Sequence, residues 1–277
     1  MKSNDLQFKK IGSIRKIVKP CKVYNFSVPQ YETYIAGGLS VHNCQNFTVS
    51  QTVKKRSSYQ STEDLVQLSE SKGTAGISFT YNEPTIYYEY VRDVSRHCKV
   101  VLKTNGFVNA HILDQLDQVA AWNVDIKGDE AEYDRVCGGS LGPVMSTIEH
   151  LAHRSHLEVS YLVLPRMVKD INYHLKMSAW LSSLSPDIPV HLLYFYPVHR
   201  MEDEFYEQDC LLPIYDLFCD KMNYVYISNV YGPVARRNTV CPDCGRILVE
   251  RNPKPIVYHD FCCGRKVTYD GASPVAS

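Results

Sequence analysis

Between residues 76 and 228 the chain alternates strand-like and helix-like segments, and no other feature limits its fold so strongly. Gly76 to Tyr81, Lys99 to Lys103, Trp122 to Ile126, Glu158 to Leu164, Val190 to Phe195 and Tyr224 to Ser228 read as strands, short and rich in β-branched and aromatic residues. Helix-like segments stand between them. Ser61-Thr62-Glu63-Asp64 opens one with capping residues and Gly73 closes it. Pro84 starts another that runs through Tyr87, Tyr90, Val91 and Val94. Others are expected over Asn109 to Val119, near 130 to 136 and 143 to 153, over Asn172 to Leu184, and near 210 to 221. A strand that follows a helix has crossed back over the sheet, so the strands pair in parallel. The expected fold is α/β, a partial (β/α)6 barrel.

Polar residues cluster where these strands stop. Asn82 and Glu83 follow the first, Thr104 and Asn105 the second, and Asp125 and Lys127 close the third. Pro165 and Arg166 follow the fourth, Tyr196 and His199 the fifth, Ser228 and Asn229 the sixth. In (β/α) barrels the active site lies at this end. Polar loops begin wherever strands end, and that accounts for most of these residues singly. It accounts less well for Glu83-Pro84 and Asp125-x-Lys127, because a charge held against a strand end is costly unless it is paired or liganded.

Upstream of the alternation the chain has another character, with short β segments over Cys21 to Val28 and Tyr31 to Ala36, then Gly37-Gly38. The seam is His42-Asn43-Cys44. An Asn side-chain amide can attack its own main-chain carbonyl and cut the chain. The Cys thiol beyond it is a nucleophile toward an ester or thioester, and a neighbouring His can move the protons. Alone, the tripeptide reads as an ordinary loop. The whole run VYNFSVPQYETYIAGGLSVHNC, however, resembles the C-terminal end of an intein. The resemblance implies that Asn43 cyclises, His42 assists, and Cys44 accepts the incoming segment as the first residue of the spliced product. Asn25 and Glu32 stand where Asp and His are usual, both at helper positions. With Met1 so close upstream, the resemblance implies the C-terminal half of a split intein, an artificially truncated sequence being the competing explanation. The partner of a split half would be a chain carrying the N-terminal intein half and the first part of the host protein.

Lysine plus arginine equals aspartate plus glutamate at 30 each, which argues against a nucleic-acid or membrane-surface protein. No apolar run approaches a membrane span, and MKSNDLQFKK lacks a signal-peptide core. A cytoplasmic protein is expected. In that compartment the ten cysteines read as metal-binding or catalytic before disulfide. Cys98, Cys137, Cys210 and Cys219 are scattered and expected as small buried apolar residues.

CQNFTVSQ from Cys44, FTYNEPT (79–85), LKTNGF (102–107), WNVDIKG (122–128), YLVLP (161–165) and ISNVYG (227–232) together resemble a radical S-adenosylmethionine enzyme. The nearest resemblance is to the radical enzyme of the AmmeMemoRadiSam system, a relative of the glycyl-radical activating enzymes. It runs from Cys44 to about Gly264. It implies a radical-SAM barrel whose 4Fe–4S cluster is held by a Cys-x3-Cys-x2-Cys run. The open iron chelates S-adenosylmethionine, and reduction by a partner such as flavodoxin or ferredoxin yields a 5′-deoxyadenosyl radical. Cys44-Gln45-Asn46 matches the end of the cluster run, so Cys44 is implied as third ligand. The other two cysteines and the first barrel strand would come from the partner half, and Cys44 would serve first in splicing and then as iron ligand. By the same resemblance Asn82 and Glu83 contact the cofactor's amino group, and Thr104, Asn105, Asp125 and Lys127 line its side of the barrel. The substrate is unknown; Arg166, Tyr196 and His199 are placed to meet it.

Cys241-Pro242-Asp243-Cys244-Gly245 is a knuckle that presents two thiolates to zinc. Cys263 fits the last position of a second pair, and the remaining ligand is left among Asp260, Cys262 and His259. The expected domains are an intein C-terminal fragment at 1–43, the partial barrel at 44–235, a zinc-ribbon-like segment at 236–270 and a polar tail at 271–277. A different class of function, a non-catalytic metal-binding or interaction protein on the same scaffold, would be favoured if Asn43 and Cys44 proved inert. A metal hydrolase would need a His/Asp cluster at the strand ends, and the sequence offers none.

Overall fold

A computed structural model of the chain describes residues 33–36, 39–42, 60–80, 83–197, 203, 205–251 and 257–259. At its centre are six parallel strands: β3 (Ile77–Phe79), β4 (Val100–Thr104), β5 (Ala121–Ile126), β6 (His156–Val163), β7 (Val190–Tyr194) and β8 (Val225–Ile227). They stand side by side in chain order. Register is fixed by pairs such as Phe79↔Leu102, Thr104↔Val124, Asp125↔Ser160 and His191↔Tyr226. In a sequential sheet, right-handed crossovers deliver every helix to the same face. The α-helices of five or more described residues are α1 (Thr62–Ser71), α2 (Tyr88–Ser95), α3 (Ala110–Asp114), α4 (Gly142–Leu151), α5 (Ile171–Leu184) and α6 (Leu211–Cys219).

Burial along the strands shows this one-sided cover. Val100, Leu102, Trp122, Val124, Ile126, Val159, Tyr161, Val163, Val190 and Leu192 are buried against Val91, Val94, Val144, Ile148, Leu181, Ile214 and Phe218 of the helices. The alternate positions Val101, Lys103, Asn123, Asp125, Glu158, Ser160 and His191 lie on the opposite face, where polar residues predominate. Full burial of one such aliphatic side chain is worth about 1.5–3 kcal/mol, so the register that points the apolar set at the helices is strongly preferred. A slip by one residue would put Lys103 and Asp125 into the core.

The first helix forms as its sequence suggests. Ser61 and Asp64 complete a capping box (Asp64 N to Ser61 Oγ 3.1 Å), and Gly73 follows at φ +58°. Three helices differ from expectation. The one expected near 130 to 136 is an α turn over Glu130–Glu132 that passes into a π-helix over Tyr133–Cys137. Pro84–Tyr87 is a 3₁₀ turn that leads into α2. The expected helix from Asn109 to Val119 is regular only over α3, and beyond it tighter turns run Leu116 N to Leu113 O (3.0 Å) and Val119 N to Leu116 O (3.1 Å). The reason is spacing: Leu113, Leu116 and Val119 are all buried and recur every third residue, the period of a 3₁₀ turn rather than an α-helix. Of the four scattered cysteines one is buried as expected and three differ. Cys137 is buried, Cys98 and Cys210 are partly buried, and Cys219 is exposed on the last turn of α6.

Before the sheet, β1 (Thr33–Ala36) pairs antiparallel with β2 (Leu39–His42). After it, β9 (Thr239–Val240), β10 (Ile247–Glu250) and β11 (Val257–Tyr258) form a small antiparallel sheet over a separate core of Cys241, Leu248 and Val249. Among the described residues no helix is long and apolar enough to cross a membrane.

Candidate functional site at the strand ends

The C-terminal ends of β3, β4 and β5 gather the predicted polar residues into two adjoining groups. The first is built on Glu83. Its Oε1 accepts from Thr104 Oγ1 (2.6 Å), Thr85 Oγ1 (2.8 Å) and Thr85 N (3.2 Å), while its Oε2 accepts from Asn105 N (2.8 Å). Thr104 is buried and in turn accepts from Gly106 N at 3.1 Å. Asn105 Oδ1 takes the Phe107 N–H at 2.8 Å. Gly106 is required at this corner: φ is +72°, and a Cβ would lie 2.7 Å from Val124 Cγ1 and 3.0 Å from Val144 Cγ1. Its carbonyl accepts from Thr147 Oγ1 at 2.7 Å, so the strand end is pinned to α4.

The second group is built on Asp125. Lys103 Nζ lies 2.5 Å from Oδ1 and Lys127 Nζ 3.0 Å from Oδ2. Lys103 also donates to Asn123 Oδ1 (2.8 Å) and Ser160 Oγ (3.2 Å). Burial alone would raise the Asp125 carboxyl pKa, but Lys127 and Lys103 outweigh it and hold the group below the usual carboxylate range. The charge cost expected for Asp125-x-Lys127 is thus met by pairing. Lys103, Asn123 and Ser160 are functional candidates that sequence reasoning missed. A signal existed: a parallel strand covered on both faces reads as a continuous apolar run, whereas Lys103 breaks the run Val100-Val101-Leu102 and Trp122-Asn123-Val124-Asp125-Ile126 alternates.

Deeper on the same face, Glu158 Oε2 lies 2.8 Å from His191 Nε2, and His191 Nδ1 lies 3.1 Å from Ser228 Oγ. His156 approaches the other Glu158 oxygen at 3.3 Å. Burial opposes ionisation of Glu158, but its two histidine partners hold the carboxyl well below its ordinary range. At the other edge Tyr196 donates to Asn229 O at 3.1 Å. Arg166 is exposed and reaches Asp203 at 3.7 Å.

His42 ends β2, and its side chain lies outside the described residues, as do Asn43, Cys44, Asn82, His199, Asp260, Cys262 and Cys263. The knuckle is described. Cys241 is buried and Cys244 exposed, Gly245 N donates to Cys241 O at 2.9 Å with Gly245 at φ +74°, and Cys241 N donates to Arg246 O at 2.7 Å. This turn joins β9 to β10. Among the described residues no set of three or more His, Cys, Asp or Glu side chains is grouped to hold a metal.

No protein-family model matches the sequence. The uncharacterized protein MJ0808 of Methanocaldococcus jannaschii is 34% identical over 225 residues, which is 76% of this chain and 66% of that protein. The chain therefore spans just under two thirds of that relative's length. Among solved structures, SuiB of Streptococcus suis superposes with a TM-score of 0.51 at 10% identity, covering 64% of this chain and 45% of SuiB. SuiB bound to its precursor peptide SuiA gives 0.50 at 10% identity, with 62% and 43% covered. These neighbours are radical S-adenosylmethionine enzymes. The six-stranded parallel sheet and its helices resemble the fold of these neighbours.

Proposed function

We propose that this chain is a precursor that trans-splices at Asn43/Cys44 to complete a radical S-adenosylmethionine enzyme. The observation that carries the enzymatic part is the convergence of Glu83, Thr104, Asn105, Asp125 and Lys127 at one end of a sheet whose fold resembles such enzymes.

The residues present suit the amino-acid end of S-adenosylmethionine. Three donors crowd Glu83 Oε1 but only one reaches Oε2, so Oε2 keeps lone-pair capacity for an ammonium. Lys103 and Lys127 share one carboxylate, Asp125. That group carries one net positive charge, suited to a cofactor carboxylate. A negative and a positive centre on neighbouring strands complement a zwitterion. Asn82 is proposed to join Glu83 at the amino group.

The 4Fe–4S cluster needs three thiolates. This chain is proposed to supply Cys44, and the partner half the other two. With reductant, cluster and S-adenosylmethionine together supply a 5′-deoxyadenosyl radical for hydrogen abstraction. Before that, the Cys44 thiol takes the upstream segment from an ester or thioester at the partner half's junction and releases that junction's leaving group. His42 moves protons as the Asn43 side-chain amide attacks its own carbonyl and breaks the Asn43–Cys44 peptide bond, and the freed Cys44 amine displaces its thiolate to form the new peptide bond. Cys241, Cys244 and Cys263 are proposed as ligands of a structural zinc. The joined protein is proposed to work in the cytoplasm.

The deciding experiment is intact-mass measurement after mixing the chain with its N-terminal half. The expected result is loss of residues 1–43 and a new peptide bond to Cys44, with cluster binding and S-adenosylmethionine cleavage appearing only in the joined product. An unspliced chain that alone bound a full cluster and cleaved S-adenosylmethionine would overturn the proposal. So would a competent partner half that produced no mass change.

A further inference from the structure

At the C-terminal ends of β7 and β8 the surface opens into a groove of about 400 Å3 whose walls include Tyr194, Phe205, Tyr206, Glu207, Asp209 and Tyr231. We propose that this groove docks a segment of peptide through a lysine or arginine side chain. That the docked segment is the enzyme's substrate rests on the radical-enzyme reading; the docking itself does not.

The wall is built before any ligand arrives. Tyr194 and Tyr206 pack with ring centroids 4.7 Å apart. Tyr194 donates its hydroxyl to Tyr206 O, and Tyr206 donates its own to Val163 O at 3.0 Å. Asn229 clamps the Tyr194 backbone from both sides, accepting from its N–H at 2.6 Å and donating to its carbonyl at 2.7 Å. Rings fixed in this way lose little entropy on binding. Over this rigid floor stand two rings in water, Phe205 at 65% exposure and Tyr231 at 82%. A folded chain gains nothing by leaving adjacent aromatic surface wet unless something covers it.

Charge decides what covers it. Residues 201–209, Met-Glu-Asp-Glu-Phe-Tyr-Glu-Gln-Asp, hold five acids and no base. Asp203 is matched by Arg135 at 3.1 Å and Arg166 at 3.7 Å. Glu207 and Asp209 are exposed, and neither forms an ion pair among the described residues. The nearby cations are Arg237, which stacks on Tyr231 at 5.2 Å and donates to Val230 O, and Arg236, which lies over Tyr215 at 5.9 Å and donates to Pro233 O. Both guanidiniums are held on these aromatic rings and backbone carbonyls, and neither pairs with Glu207 or Asp209 among the described residues. Aromatic faces and unmatched carboxylates both attract a cation that arrives on an apolar stem, which describes lysine and arginine. They repel phosphate backbones and acidic peptides. An open groove of this size takes one or two side chains and leaves the chain that bears them outside, as a peptide segment requires. The groove opens at the same end of the sheet as Glu83 and Asp125, at the opposite edge from Glu83.

The test is fluorescence anisotropy of the full chain with dye-labelled Gly/Ser decapeptides bearing two arginines, two lysines, two glutamates or no charge. The basic peptides should bind, the neutral and acidic ones at least tenfold more weakly. The Glu207→Gln/Asp209→Asn double variant should weaken the basic peptides about tenfold, and Tyr231→Ala severalfold. The exposed pair Glu63→Gln/Glu70→Gln, on α1 at the far edge of the sheet, should change nothing. Equal binding of acidic and basic peptides, no binding of any, or equal losses in both acid-pair variants would overturn the proposal. S-adenosylmethionine binding by the same proteins separates a failure here from a failure of the enzymatic reading.

Discussion

Asp125→Asn removes one charge and leaves two cations behind. In the native chain the Asp125 side chain is 19% exposed, Lys127 16% and Lys103 41%. At about 3 Å and an effective dielectric of ~20, each contact is worth about 5 kcal/mol in Coulomb energy alone. Desolvation of the three groups offsets most of that. Breaking a fully buried pair costs ~3–5 kcal/mol, and an exposed pair is worth ~0.2–1 kcal/mol. The Asp125 site lies between these limits, because Lys103 can turn its ammonium to water and Lys127 has less freedom to do so. A loss of about 2 kcal/mol at pH 7 is expected, which at ~2.5 kcal/mol/M lowers the urea midpoint by ~0.8 M.

The pH dependence has a fixed sign. Burial works against the charged form, yet the two lysines hold the folded-state Asp125 pKa below its unfolded value. Its contribution is therefore complete above the ordinary carboxyl pKa of about 3.9 and is lost as pH falls through the folded value. The difference between native and variant should be constant from pH 5 to 7 and shrink below pH 4. Adding Lys127→Met to the variant removes the orphaned cation and should recover more than half of the loss. A midpoint shift under ~0.1 M at pH 7, or one that persists unchanged into acid, would refute the pairing as the source of stability.

Two further outcomes follow from the same end of the sheet and from the knuckle. Gly106→Ala should cost at least ~2 kcal/mol, since it combines a positive φ with a 2.7 Å clash against Val124, and should weaken S-adenosylmethionine binding severalfold by displacing Thr104 and Asn105; a native melting curve would contradict this. Cys241→Ser should strip zinc from the purified protein, and Cys244→Ser, at an exposed position where folding is less perturbed, should do the same; zinc content unchanged in both would rule out the knuckle as a metal site.

The sheet was legible because its physics is local. Each strand carries its own apolar set, each crossover its own helix signal, and sequential order is the simplest way to join them. Ser61 and Asp64 could be read as a cap because both partners lie within one turn. The turns after α3 were read as helix because an apolar residue at every third position fits either period over so short a stretch. Phe205, Tyr206 and Tyr231 could not be seen as one wall, because chain folding alone brings residue 231 to residues 205 and 206.

Lys103 shows where local reading stops. In sequence it is one basic residue in an apolar strand, and its partner Asp125 lies 22 positions on. Only the β4–β5 register, Lys103↔Asn123, together with the β5–β6 register, Asp125↔Ser160, brings the ammonium to Asn123, Asp125 and Ser160 together. The cost of a charge at a strand end signalled Asp125 and Lys127 but gave no count of the lysines. That count decides the chemistry. With Lys127 alone Asp125 would be neutralised, and the site would offer Glu83 as its one net charge. With Lys103 added the two groups have opposite sign on adjacent strands, and an amino acid's ammonium and carboxylate each find a complement. Removing Lys103 should therefore impair binding of the proposed cofactor while leaving the Asp125–Lys127 pair formed, an effect that neither strand's sequence foretells.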